Sequence, residues 1–135
     1  MAKVKCYVLD ACALLRLAQD EPRADKIARL MVDATAEKCR LLMHIVNLGE
    51  VVYLIAKRFG WEVALRKRAE INLLPVTVVG FAEALFWEAV KLKAAYPMSY
   101  ADCFAAALAL REKAWLLTSD PEFAALGDAL QRIKV

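Results

Sequence analysis

The hydrophobic and polar positions of this chain alternate between two periods, and that alternation predicts its elements. "VKCYVLD" is a β-rich run ending at Asp10. "ACALLRLA" then reads as a helix, broken by Gln19-Asp20-Glu21-Pro22. Asp20 or Glu21 ahead of Pro22 suits the start of a second helix, running from about Pro22 to Glu37 with Ile27, Leu30, Met31 and Ala34 as its apolar stripe. "RLLMHIV" reads as a second strand. Asn47 is placed to cap the helix "LGEVVYLIAKRF", and Gly60 to end it. A further helix, "WEVALRKRAEINLL", presents Arg66, Lys67 and Arg68 on its polar face, and "PVTVV" forms the third strand.

The last third repeats the alternation. "FAEALFWEAVKLKAAY" is amphipathic, with Leu85, Ala89 and Leu92 inward and Glu88, Lys91 and Lys93 outward. Pro97 stops it, and Ser99 is placed to cap the next helix. That helix is almost wholly apolar: from Ala94 to Leu110 the sole charged side chain is Asp102. "AWLLTSD" is a fourth strand, "PEFAALGDAL" a helical segment, and "RIKV" a fifth strand. Strands alternating with helices imply an α/β domain with a mostly parallel sheet of four to five strands.

Length and composition narrow this picture. The 135 residues suit one domain spanning 1–135. Hydrophobic residues make up 61%, above the usual ~45–50%, and alanine supplies much of the excess, as a closely packed helical shell requires. The longest apolar run contains Pro97, Ser99 and Asp102, which suits no transmembrane span, and Asp10 interrupts the first apolar stretch, which lacks the layout of a signal peptide. The expectation is a soluble, cytoplasmic protein. Cys6, Cys12, Cys39 and Cys103 form no paired motif, and His44 is the single histidine. That excludes a short-spaced zinc site, argues against a Ser-His or Cys-His triad, and suits reduced, buried thiols. The net charge of +3 permits contact with nucleic acid without arguing for it.

The acids carry the candidate chemistry. Asp10 and Asp120 each directly follow a strand, and ligands of open α/β sheets bind outside the carboxyl ends of the strands. Both also precede helical segments and suit N-caps. Glu50 lies in the first turns of its helix, three residues after Asn47, where an acid complements the helix dipole. Asp102 follows Ser99 by three, and "SYAD" fits a capping box. Each acid alone is therefore an ordinary helix-start residue. A helix following a strand-edge turn can present its N-terminal end at that same edge, which would bring the four together. Clustered carboxylates repel one another, and a divalent cation relieves that repulsion. Oxygen-only ligands select hard ions such as Mg²⁺ or Mn²⁺, whose remaining positions suit phosphate oxygens and an activated water. That is the chemistry of a nuclease.

Four stretches, "YVLDACALL" around Asp10, "NLGEVVYLI" around Glu50, "MSYADCFAAALA" around Asp102 and "LLTSDPEF" around Asp120, resemble in order and separation the motifs of the PIN-domain ribonucleases, and more narrowly the VapC-like toxins of toxin–antitoxin pairs. The resemblance covers almost the whole chain. It implies a small α/β/α sandwich on a central parallel sheet, and it implies that Asp10, Glu50, Asp102 and Asp120 form an acidic site for Mg²⁺ or Mn²⁺. Thr118 matches an auxiliary polar group, and Ser119, Asn47 and Ser99 match supporting positions less firmly. Asp10, Asp102 and Glu50 are the expected direct or water-mediated ligands. Asp120 would contribute to a second ion or orient the attacking water. Cys12 and Cys103 stand where small residues are common. The implied activity is endonucleolytic cleavage of RNA, restrained by a cognate antitoxin, in a protein that forms a homodimer and has no membrane partner. Two other readings stay open: a PIN nuclease of RNA processing or decay without an antitoxin, and a non-catalytic interaction module on the same fold.

Around this centre, Glu122 reads as a surface residue near Asp120. Arg16, Lys57, Arg58, Arg66, Lys67, Arg68, Arg111 and Lys113 are the candidate cations for RNA, each equally suited to a solvated helical face. Tyr100, Trp61 and Phe123 are candidate stacking partners, with core packing favoured for Phe123 and Trp87.

Overall fold

The computed structural model describes residues 4–19 and 24–135. Five strands, β1 (Lys5–Leu9), β2 (Cys39–His44), β3 (Thr77–Val79), β4 (Trp115–Thr118) and β5 (Arg132–Lys134), pair in the order β3-β2-β1-β4-β5. Every pairing is parallel, with Val8 opposite Leu42 on one side and Leu116 on the other. Parallel strands need crossovers, and the helices provide them: α1 (Ala11–Ala18) and α2 (Ala24–Thr35) after β1, α3 (Ile45–Phe59) and α4 (Trp61–Ile71) after β2, and α5 (Glu83–Ala95) and α6 (Tyr100–Glu112) after β3. A 3-10 segment, Pro121–Ala129, joins β4 to β5 and kinks at Gly127, where φ is 53°.

Alternation along the strands fixes the layers. Val8, Leu42 and Leu116 face a core completed by α5, α6 and the 3-10 segment. Leu9, Leu41, Met43 and Leu117 face the opposite core, built with α1 to α4. The result is the expected α/β/α sandwich. The chain winds outward from β1 through β2 to β3, then returns to place β4 on the other flank of β1. The reversal of strand order therefore lies between β1 and β4, where α/β sheets open a crevice at their carboxyl ends.

The apolar helix sits where its composition demands. Cys103 to Ala109 are buried on every side of α6. Alanine lets the helix backbone lie close to α5, α3 and the sheet, with no side-chain entropy lost. Lys113 ends it in the left-handed conformation (φ 51°) and donates back to the carbonyl of Leu110. Gly60 takes a φ of 93° between α3 and α4, a value for which glycine has no steric cost.

Several boundaries depart from the sequence expectation. The second strand ends at His44, and Ile45 and Val46 open α3. Its N-cap is thus His44, whose Nδ1 accepts from the Val46 amide at 3.1 Å, and not Asn47, which lies inside the first turn and is fully buried. A continuous apolar run such as "RLLMHIV" has no periodicity to mark where strand becomes helix. The helix expected from Pro22 to Glu37 runs Ala24–Thr35, because Glu37 adopts a left-handed φ of 60°. Its expected start at Asp20–Pro22 lies outside the described residues. The segment after Asp120 is 3-10 and not α-helical. Trp87 is exposed on α5, contrary to core packing, because Leu85 and Ala89 take the buried face; Phe123 is fully buried, as expected. No helix among the described residues is long and apolar enough to cross a membrane.

The close approach of α6 gives a direct test. Ala106→Leu forces added volume into a filled interior and is expected to lower the free energy of unfolding by about 1–3 kcal/mol in urea titrations. Ala94→Leu, at an exposed position of α5, should change it by less than about 0.5 kcal/mol.

Candidate active site

The carboxyl ends of β1 and β4 place Asp10 and Asp120 on either side of the crevice. Asp10 caps α1, its Oδ1 accepting from the Ala13 amide at 2.9 Å. Asp120 caps the 3-10 segment, accepting from the Glu122 amide at 2.9 Å. The ordinary capping role and the shared location therefore hold together. Thr118 links the pair: its hydroxyl donates to Asp10 Oδ2 and accepts from the Asp120 amide at 2.9 Å. Both Asp10 and Thr118 are buried.

Two helix starts complete the edge. Ser99 caps α6 by accepting from the Asp102 amide at 3.1 Å. This holds Asp102 in the first turn, where it is buried. Asn47 Nδ2 donates to the Ala101 carbonyl at 3.0 Å, tying the first turn of α3 to that of α6. Glu50, one turn further along α3, is half-buried. Asp10, Glu50, Asp102 and Asp120 thus belong to one electrostatic group: Asp120 acts on the other three, and Asp10 also feels Glu50 and Asp102 feels Asp10.

The tightest grouping differs from the expected set. Carboxylate oxygens of Asp102, Asp120 and Glu122 lie within 4.8 Å of one another. Glu122 is exposed, as a surface residue should be, yet its carboxylate turns back toward the site and accepts from the Ser99 amide at 3.0 Å. Its place two residues after Asp120, on a tight 3-10 turn, was the signal available in the sequence. Lys93 is a second addition: its Nζ donates to the Met98 carbonyl at 2.7 Å, close enough to favour the Glu122 charge. Ser119 stands apart from the acids, with its Oγ accepting from Arg16 Nη2 at 3.0 Å and lying 3.1 Å from Cys12 Sγ. Of the other candidate cations, Lys67 and Arg111 lie in ion pairs with Glu70 and Glu112.

Burial and mutual repulsion act on the acids. Burial raises the Asp10 carboxyl to about 6, against the hydrogen bonds from Thr118 and Ala13. Burial also raises Asp102, reinforced by hydrogen bonding with Glu122 and Asp120 and by the charges of Asp120 and Asp10. Glu50 is raised by burial and then by Asp120. Glu122 moves the other way, lowered first by the Ser99 amide and then by the hydrogen bond with Asp102. The hydrogen bond between Asp102 and Glu122 acts in opposite directions on the two, raising Asp102 and lowering Glu122. The donor set is all oxygen and over-charged. Asn47 Oδ1 adds a buried acceptor without a hydrogen-bond partner among the described residues. These residues fit a hard divalent cation such as Mg²⁺ or Mn²⁺.

A pH signature follows. An acid whose pKa is raised in the folded state favours folding while protonated and loses that advantage as pH rises. Metal-free protein is therefore expected to lose stability as pH climbs from about 4 through about 6, by up to about 3 kcal/mol from Asp10. Thermal melts at pH 5 and 7.5 check this. Mn²⁺ should restore the melting temperature at pH 7.5 far more than at pH 5, and Asp10→Asn should flatten the metal-free profile between them.

Comparison with known proteins agrees with this architecture. DNA-bound VapBC from Salmonella typhimurium superposes with a TM-score of 0.77 at 15% identity, covering 98% of each chain. A toxin–antitoxin complex from Klebsiella pneumoniae gives 0.69 at 15% identity, over 92% of this chain and 94% of that one. The sarcin–ricin loop cleaving toxin VapC20 from Mycobacterium tuberculosis gives 0.70 at 21% identity, over 90% and 95%. These likenesses establish the fold. No curated protein matches the sequence significantly. The PIN domain profile matches residues 7–129, spanning all four acids and the full sheet crevice, and the chain belongs to the PIN domain family.

Proposed function

We propose that this protein is a metal-dependent endoribonuclease acting as the toxin of a toxin–antitoxin pair. The observation that carries the reading is the convergence of Asp10, Glu50, Asp102 and Asp120 on the crevice between β1 and β4, with Glu122 beside them. Membership of the PIN domain family and the sarcin–ricin loop cleavage named for one structural relative support an RNA substrate. The toxin–antitoxin complex among the relatives supports a cognate antitoxin as partner. A homodimer in the cytoplasm completes the reading.

In this reading Asp10, Glu50 and Asp102 would hold Mg²⁺ or Mn²⁺, directly or through water, with Asp120 and Glu122 beside them. The bound ion would supply Lewis-acid stabilisation of a phosphodiester and a more acidic water. The chain's own residues do the rest. Thr118 bridges Asp10 and the Asp120 amide, Ser99 fixes the turn that carries Asp102, and Asn47 ties that turn to the start of α3. Asp120, less buried than Asp10, is placed to orient an attacking water. Arg16, held on Ser119, supplies positive charge at the rim for the substrate phosphates.

Purified protein is expected to cut single-stranded RNA with Mg²⁺ or Mn²⁺ and to stop on chelation. Asp10→Asn and Asp102→Asn should each reduce the rate at least about 100-fold while keeping the helix starts. Undiminished cleavage by both variants would remove the assignment. A neighbouring gene for a short DNA-binding protein whose product arrests cleavage separates the toxin from an RNA-processing nuclease. A titration showing no divalent binding would leave a non-catalytic interaction module.

A further inference from the structure

Beside the acids, the same carboxyl edge of the sheet turns aromatic. Tyr100 opens α6 two residues before Asp102 and is 45% exposed. Its ring packs on Phe104 with centroids 5.3 Å apart, and Phe104 lies 4.8 Å from the buried His44 ring and 6.1 Å from Phe86. Phe81, just beyond the end of β3 and 73% exposed, stands 5.7 Å from Phe86 on the other side. Two exposed rings are thus braced by an interior ladder of rings. Tyr100 is also tied to the acids through the backbone, because the Ser99 amide preceding it is bonded to Glu122.

An RNA strand approaching this edge meets five carboxylates, which repel its phosphates wherever no cation intervenes. The uncharged part of a nucleotide is its base, and every base has a flat π-face that an aromatic ring can receive without regard to sequence. A ring already immobilised on Phe104 loses little freedom when a base covers it.

We propose that Tyr100 is a stacking platform for the nucleobase next to the cleaved phosphodiester, with Phe81 receiving a base further along the strand. This rests on the ribonuclease reading above. Tyr100 is a positioning residue: it binds the base and sets which phosphate lies over the acids, without touching the reacting atoms. A second copy of this chain could also cover exposed rings. The base is favoured because Tyr100 shares the first turn of α6 with Asp102 and because a strand bound at the acids must cross this edge.

The test uses full-length protein and single-stranded RNAs carrying one abasic nucleotide at successive positions around the cleavage site. Tyr100→Ala should raise KM about 5- to 100-fold with kcat changed much less, and Tyr100→Phe should recover most of that loss. At one abasic position, wild type should lose the same factor while Tyr100→Ala loses nothing further. Should Tyr100→Ala fold poorly, Phe81→Ala is expected to show the same coupling at a more distant base. Equal KM for wild type and Tyr100→Ala, or penalties that multiply at every abasic position, would overturn the platform while leaving the nuclease intact. So would a Tyr100→Ala variant that dissociates in light scattering and regains RNA cleavage at high protein concentration, which assigns the ring to contact between copies. A wild type that cuts no RNA overturns both readings at once.

Discussion

Repulsion among carboxylates that have lost part of their water is the constraint on which this structure turns. Five acidic side chains share one edge of the sheet, and two of them are buried. Left free, such groups would splay into solvent or take up protons. Four of the five are instead held by a bond from the backbone frame. Asp10 and Asp120 are fixed by the helical segments that they cap. Asp102 is fixed by the turn that Ser99 caps, and Glu122 by the Ser99 amide. The restraints thus come from the ordinary means of starting a helix. The fold keeps the acids together through these bonds, and the charge that remains is what a cation can answer.

Much of this was legible in the sequence, and the reason is physical. A strand end followed by a helix start needs a capping residue, and aspartate is among the best. Asp10 and Asp120 therefore announce both the turn and the edge. Asp102 stands out because it is the sole charged side chain among the seventeen residues from Ala94 to Leu110. What the residues alone left open was convergence, which depends on strand order. The order β3-β2-β1-β4-β5 is set by long-range pairing that no local pattern encodes. The resemblance of four motifs to one family filled that gap.

The misplaced details share a cause. His44 takes the capping role expected of Asn47 because the apolar run from β2 into α3 hides its own boundary, so that the capping group is an imidazole and Asn47 is a buried tie to Ala101. Glu122 was read as a surface residue from its polarity, and it is one. A 3-10 turn, tighter than an α-turn, folds its carboxylate back toward Asp102. Trp87 was read as core from its size, yet α5 offers its inward face to Leu85 and Ala89. In each case the chemistry of the residue was right and its direction was not, since direction is decided by neighbours distant in sequence.

The Thr118–Asp10 contact spans 108 positions. That distance sets an order of events as the chain leaves the ribosome. β1 precedes β2 and can pair with it early, but its other flank waits for β4. Until then Asp10 has neither Thr118 nor Asp120 beside it, and α6 has only half of its sheet to rest on. A nascent or prematurely terminated chain carries the first two acids and no assembled centre. The acids that close the site, Asp102 and Asp120, are thus the last of the four along the chain.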